Sequence, residues 1–290
     1  MSNVTIITDS TCDLLQERLN ELNVQKLHLT YSYDDKEFDD VIEDTEIKKF
    51  YQSMRDGKLP KTSAVSPEKF EAAFSKALES GNDVVCITLI SKGSATYSNA
   101  NSAKDSLQKK FPERKIFIID SLTTSAGMEI NVRKAVELRD EGKSAQEIFD
   151  FLEKFKYSVQ IFLAPDNLFH LTRGGRLSKT SAAIGSLLNI KPIIFITKEG
   201  SVDVYDKVKG RKKVMQYFLD KIKEHVSDPS NDAIYVGHSD CVEDAAILKQ
   251  MIEDEFNAKN VEMGYIGTVI GTHVGPDSLA VFFCGKERTI

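Results

Sequence analysis

The apolar positions of the first half come in short, near-continuous runs, each followed by a polar turn and then by residues in helical spacing. VTIIT ends in Asp9-Ser10-Thr11, and DLLQERLNEL from Asp13 onward shows that spacing behind good capping residues. VVCITLI, residues 84 to 90, precedes SKGS and a long polar helix. KIFIID, residues 115 to 120, precedes SLTTSAG and a helix running to about Arg139, closed by Glu141-Gly142. Ser66-Pro67 opens a further helix, EKFEAAFSKALES, because Ser suits the cap and Pro the first turn. Apolar strands alternating with helices predict a parallel sheet covered on both faces.

The pattern changes after the helix SAQEIFDFLEKF. VQIFLAP reads as a strand, NLFHL and TSAAIGSLLN as helical, and KPIIFIT and SVDVYDKV as a hairpin around Lys198-Glu199-Gly200. The helix KKVMQYFLDKIKEHV, the strand AIYVG and the helix EDAAILKQMIEDEF follow. The last strands fall around MGYIGTVIGTH and LAVFFCG, which puts His273 at a strand end before a Gly-Pro turn. The fold class predicted is therefore α/β in two domains: an N-terminal parallel-sheet α/β domain over 1–155 and a C-terminal α/β (α+β) domain over 156–290. A length of 290 residues agrees with that division at roughly 150 residues per domain.

Composition narrows the function more than the fold. A net charge of -6 argues against a general nucleic-acid or membrane-surface binder, since such partners select a basic face. Cys12, Cys86, Cys241 and Cys284 are far apart with no CxxC pair, so neither a disulfide framework nor a metal site is expected. The N-terminus lacks a basic and apolar leader pattern, and no stretch reaches about 18 consecutive apolar residues, so a cytoplasmic location is expected.

Several motifs carry candidate chemistry. Asp9, Ser10, Asp120 and Ser121 stand at strand ends, where capping of the following helix accounts for them. Gly93-Ser94 precedes a helix whose free N–H groups offer a weak anion site. Gly142-Lys143-Ser144 resembles the end of a P-loop, but Glu137 replaces the first glycine and the triplet opens a helix. No strand is followed by GxGxxG, so dinucleotide binding loses its main support. Gly237-His238-Ser239-Asp240-Cys241 is one glycine short of a nucleophile elbow. A serine hydrolase using Ser239 and His273 is the alternative it leaves, against a role for Ser239 or Asp240 in capping the next helix. His28, His170 and His225 show no metal-ligand spacing and are read as structural or exposed. Leu171-Thr-Arg-Gly-Gly-Arg-Leu-Ser178 could grip a phosphate or carboxylate with its guanidinium forks, or form a solvated loop.

Seven short stretches, in order, add up to a resemblance: Thr8-Asp9-Ser10-Thr11-Cys12-Asp13-Leu14, Lys61-Thr62-Ser63, Ser94-Ala95-Thr96-Tyr97, Ile119-Asp120-Ser121, GGRLS at 174–178, Asn189-Ile-Lys-Pro192 and His273-Val-Gly-Pro276. With them the chain resembles, over about 3–288, the DegV family of fatty-acid-binding proteins that serve bacterial fatty acid kinase. The resemblance implies two domains around a lipid tunnel, lying between or within them, that holds one long-chain fatty acid such as palmitate, stearate or oleate. It implies that Thr62, Ser94 and His273 hold the carboxylate, with Ser63, Ser91, Gly93, Ala95 and Gly275 close by. It further implies that the protein is not itself an enzyme and uses no cofactor or metal. A separate ATP-dependent kinase subunit would form the acyl phosphate, docking on an edge made by Arg173, Arg176, Lys209 and Arg211. Transient membrane contact would serve lipid exchange. The chain departs from the family pattern at Gly93 (often leucine), Ala95 (often glycine), Lys209 (commonly arginine) and Asp277 (usually glycine). An acid at Asp277, were it to face the site, would pair with His273 or repel a bound carboxylate.

Overall fold

The computed structural model describes residues 4–178, 189–226, 228–230 and 232–289. The three expected strands of the first half, joined by an unforeseen fourth, β2, form one parallel sheet in the order β2-β1-β6-β7, with β1 Val4–Asp9, β2 Val24–Leu27, β6 Asp83–Thr88 and β7 Ile116–Asp120. Residues 4–9 and 83–88 are almost wholly buried, as an apolar run covered on both faces requires. The helix α3, Pro67–Glu79, starts as its sequence predicts: Ser66 accepts a hydrogen bond from the Lys69 amide and Pro67 takes the first position. Ser144 and Glu147 form a capping box at α6, Ala145–Phe155.

A second, small antiparallel sheet lies between β2 and α3 and was not foreseen. It runs β4-β3-β5, with β3 Thr30–Tyr33, β4 Lys36–Asp39 and β5 Lys61–Ser63, and the helix α2, Asp44–Arg55, packs on it. Tyr31, Phe50 and Tyr51 form edge-on ring pairs in the apolar cluster between them.

The third sheet has six strands in the order β10-β9-β8-β13-β11-β12, all antiparallel except the β11–β12 pair. They are β8 Val159–Ala164, β9 Ile190–Ile196, β10 Val202–Lys209, β11 Ile234–His238, β12 Val261–Tyr265 and β13 Leu279–Cys284. The expected hairpin is β9–β10. Strands of the first two sheets end by Asp120 and those of the third begin at Val159. The helical expectation over 180–188 lies outside the described residues.

One correction matters for function. MGYIGTVIGTH is not a single strand: β12 ends at Tyr265 and a short helix, α10 Thr268–Val274, carries His273. The Gly267 cap of α10 has no side chain to offer, and its orphan amides are taken by acids from the first half. Asp40 accepts from the Val269 amide at 3.1 Å and from the Thr268 hydroxyl at 2.7 Å, and Asp13 accepts from the Gly267 amide at 3.1 Å. Tyr51, fully buried on α2, donates its hydroxyl to the Ile266 carbonyl at 2.5 Å. Val269 of α10 joins the apolar core of the first half.

Gly271 lies against Tyr51 so closely that a Cβ there would overlap the phenol ring and hydroxyl. Gly271→Ala should therefore lower stability by about 1–3 kcal/mol, the usual cost of overpacking. Chemical denaturation checks this, and an unchanged unfolding midpoint would contradict the packing described.

Burial also raises three acids: Asp13 well above the ordinary carboxyl range, Asp9 to about 6, and Glu129 to about 7 despite its ion pair with Arg133 at 2.5 Å. A carboxyl raised by folding binds its proton more tightly in the native state, so its contribution to stability is lost as pH climbs from the ordinary carboxyl range toward the raised value. Buried histidines held low act in the opposite sense, so the readout is the difference between proteins: from about pH 4.5 to about pH 7 the Tm of Glu129→Gln should rise by a few degrees relative to the unaltered protein.

Candidate functional site

A cavity of about 260 Å³ lies between the two halves of the chain. Its first-half wall comes from Leu29, from β5 and the residue after it, and from the segment that follows β6; its second-half wall comes from β8, β9, β10 and α10. Most of the lining is aliphatic, including Leu89, Ile90, Ile161, Leu163, Ile194 and Val274. That volume is near the lower end of the ~300–1,000 Å³ usual for small-ligand sites, which are likewise apolar with a few placed polar groups.

Thr62, His273, Arg176 and Ser94 of the lining are linked in one chain of contacts. Thr62 on β5 and His273 on α10 meet through Oγ1 and Nε2 at 3.0 Å. Thr62 is placed by its register opposite Tyr31 in the small sheet. The His273 ring is fixed on its other side by the Gly174 backbone, where a Cβ would overlap Nδ1. Gly174 follows α7, Phe169–Arg173, and its carbonyl accepts from Arg176 at 2.6 Å. The Arg176 Nε in turn donates to the Gly93 carbonyl at 2.9 Å, next to Ser94. The Ser94 hydroxyl faces Thr96 Oγ1 at 2.9 Å and accepts from the Thr96 amide, at the start of α4, Thr96–Gln108.

Electrostatically this end is cationic and short of an anion. The imidazole of His273 is pushed down to about 3, mainly by burial and then by Arg176, Arg173 and His170, so it is neutral at ordinary pH. Its Nδ1 has no partner among the described residues. Burial lowers the Arg176 guanidinium as well, and no carboxylate is paired with it in the structure described. An anion entering here would balance the Arg176 charge.

Thr62, Ser94 and His273, foreseen as carboxylate holders, thus line one cavity, together with Ser63, Gly93 and Ala95. Ser91 and Gly275 do not line it: the Ser91 amide is tied to Asp120, and Gly275 packs against the His170 ring. Arg176 was expected on a docking edge, whereas its side chain is in the cavity wall. Arg211 bonds to Asp244 at 2.7 Å, to the Asp277 carbonyl and to Cys241. Arg173 donates to the Pro60 carbonyl at 2.8 Å and remains partly open, and Lys209 is exposed. Asp277 faces away from His273 and pairs with Arg55 at 2.7 Å. Thr124 lines the cavity and was missed; its buried hydroxyl has no partner among the described residues.

The hydrolase alternative fails on geometry. The Ser239 hydroxyl is fully buried, donates to the Gly275 carbonyl at 2.7 Å and accepts from the Ser278 amide at 2.6 Å. His273, its required base, is bonded to Thr62 instead. Neither Ser239 nor Asp240 caps the next helix, α9 Val242–Phe256; Asp240 pairs with Arg55 at 2.5 Å. Asp9 caps only the 3₁₀ turn Ser10–Cys12 and also accepts from the Leu89 amide, while Asp120 accepts from Ser91 and Leu122. Among the described residues there is no metal-ligating cluster and no helix long and apolar enough to cross a membrane.

Comparison with known proteins agrees with this architecture. The model of a family described as uncharacterised protein, DegV family COG1307, matches residues 3–286. A DegV domain-containing protein of Clostridium perfringens is 37% identical over 290 residues, covering 99% of both chains. Among solved structures, a DegV lipid binding protein from Thermotoga maritima is 27% identical with a TM-score of 0.86, covering 100% of both chains. A stearic acid-binding protein from Eubacterium ventriosum has the same identity and TM-score and covers 99% of this chain and 99% of its own. With sequence and fold matched over nearly its whole length, the chain belongs to the DegV family.

Proposed function

We propose that this protein binds one long-chain fatty acid, with the acyl tail in the apolar cavity and the carboxylate at Thr62, Ser94 and His273. The observation that carries the proposal is a mostly aliphatic cavity with Thr62, His273, Arg176 and Ser94 linked at one end and, among the described residues, no Asp or Glu in its lining. The lipid- and stearate-binding relatives support the same ligand class. Neutral His273 supplies a single N–H; donated to Thr62, it leaves the Thr62 hydroxyl free to donate to the ligand, beside the Ser94 hydroxyl. Arg176 adds charge to that end, so the cost of drying a carboxylate is offset. The tail supplies most of the affinity, at about 0.8 kcal/mol per buried methylene less the cost of ordering it.

In this reading the protein makes and breaks no bond. It presents the carboxylate to a separate ATP-dependent kinase subunit that forms the acyl phosphate, with Arg173 and exposed Lys209 at the docking edge. Arg176 is left out of that edge because it lines the cavity, and Arg211 because Asp244 already matches its charge, whereas Arg173 has only carbonyl partners.

Titration of a fluorescent or isotope-labelled palmitate tests the site. Ser94→Ala should weaken binding by about tenfold or more, as loss of a hydrogen bond to a charged group does, and His273→Ala should weaken it too, because Thr62 loses the partner that orients its hydroxyl, while Ser239→Ala leaves binding unchanged in whatever fraction of it folds. Unchanged affinity in both site variants would remove the carboxylate assignment. Arg173→Ala should spare binding and slow acyl-phosphate formation by the partner kinase; loss of binding in a folded variant would contradict the docking role.

A further inference from the structure

A second cleft, of about 660 Å³, lies on another part of the junction between the halves and shares no lining residue with the fatty-acid cavity. It stands where several strands deliver their carboxyl ends: Asp13 and Leu15 follow β1, Ser125 and Glu129 follow β7, and His238 ends β11. Carboxyl ends of strands are where α/β sheets seat ligands.

The rim is apolar and open to solvent. Leu15, Val242 and Met263 line it at 54%, 41% and 38% exposure, which places three of the seven large exposed hydrophobics among the described residues around one opening. Apolar groups gathered at the mouth of a cleft mark a binding surface more often than scattered ones do.

The inner wall is a set of acceptors. The Asp13 carboxyl, held well above the ordinary range by burial and by nearby Asp40 and Glu129, takes hydrogen bonds from Ser125 and from the Gly267 amide; no cation pairs with it among the described residues, and one brought beside it would favour its ionised form. Glu129 lies beside Arg133, which Glu262 also holds at 3.1 Å, and Arg18 is paired with Glu21, so those positive charges are already matched. Asp44 adds a further acid and Lys48 one base. His238 lines the same cleft at 2% exposure, its ring 4.4 Å from that of Tyr265, and its Nδ1 has no partner among the described residues. A neutral imidazole keeps one nitrogen as an acceptor. Unmatched acid, unused ring acceptor and aromatic faces at Tyr235 and Tyr265 all suit one kind of group, an ammonium with several N–H donors.

We infer that this cleft is a second ligand site, for a primary ammonium compound with a short apolar body. The ammonium reaches Asp13 and His238, and the body lies on Leu15, Val242 and Met263. Phosphate or carboxylate ligands fit poorly, since four acids line the cleft against three bases of which two are already paired.

The test uses the full chain, phenethylammonium as probe and 3-phenylpropionate as its charge-reversed counterpart, followed by amide NMR. Phenethylammonium should shift the amides of Gly264 and His238 and bind at least tenfold tighter than the anion. Gly264 lines the cleft with open space where a Cβ would stand, so Gly264→Phe fills the site with little effect on the fold. That variant should lose the probe by tenfold or more while the rest of its spectrum and its palmitate affinity are unchanged. Equal binding of the two probes, or binding indifferent to Gly264→Phe, overturns the inference.

Discussion

The site depends on how the short helix α10 is pinned to the opposite half of the chain. Seven residues of helix have little stability of their own, since isolated helices below about 12–15 residues are marginal in water. Here the helix is held by partners more than two hundred residues away in sequence: Asp40 and Asp13 at its first amides and Tyr51 at the carbonyl just before it. Asp40 and Tyr51 are buried and Asp13 is partly so, and a carboxylate removed from water without donors is costly, so helix and acids each need the other. His273 and Thr62 come from different halves, and their 3.0 Å contact follows from that docking.

The same junction divides the work of binding. Aliphatic residues of both halves supply the apolar wall, while the polar end collects from β5, α10 and the turns after β6 and α7. The network running Thr62–His273–Gly174–Arg176–Gly93 fixes each group by a neighbour, so little ordering is left to the moment of binding. A polar end built from fixed donors and one guanidinium suits a carboxylate held in place.

Much of the fold was legible in the sequence because its signals were local. The apolar runs of β1, β6 and β7, the Ser66-Pro67 start and the β9–β10 hairpin are set by neighbours in the chain. The segment carrying His273 misled because α10 is buried on nearly every side; an apolar run with no polar face reads the same as a buried strand. Its cap was invisible for a related reason, being supplied from a distance by Asp40 and Asp13. The motifs that carry the family resemblance pointed to Thr62, Ser94 and His273, but which way an arginine turns is a tertiary fact. Arg173 and Arg176 flank the same glycine pair, yet one reaches the Pro60 carbonyl and the other the cavity.

The most direct measurement is mass spectrometry of small molecules released by denaturing the freshly purified protein, with the intact native mass recorded beside it. The account predicts close to one long-chain fatty acid per chain and a native mass higher by that amount. A protein that emerges lipid-free, and that fails to take up palmitate, stearate or oleate when they are added, would contradict it.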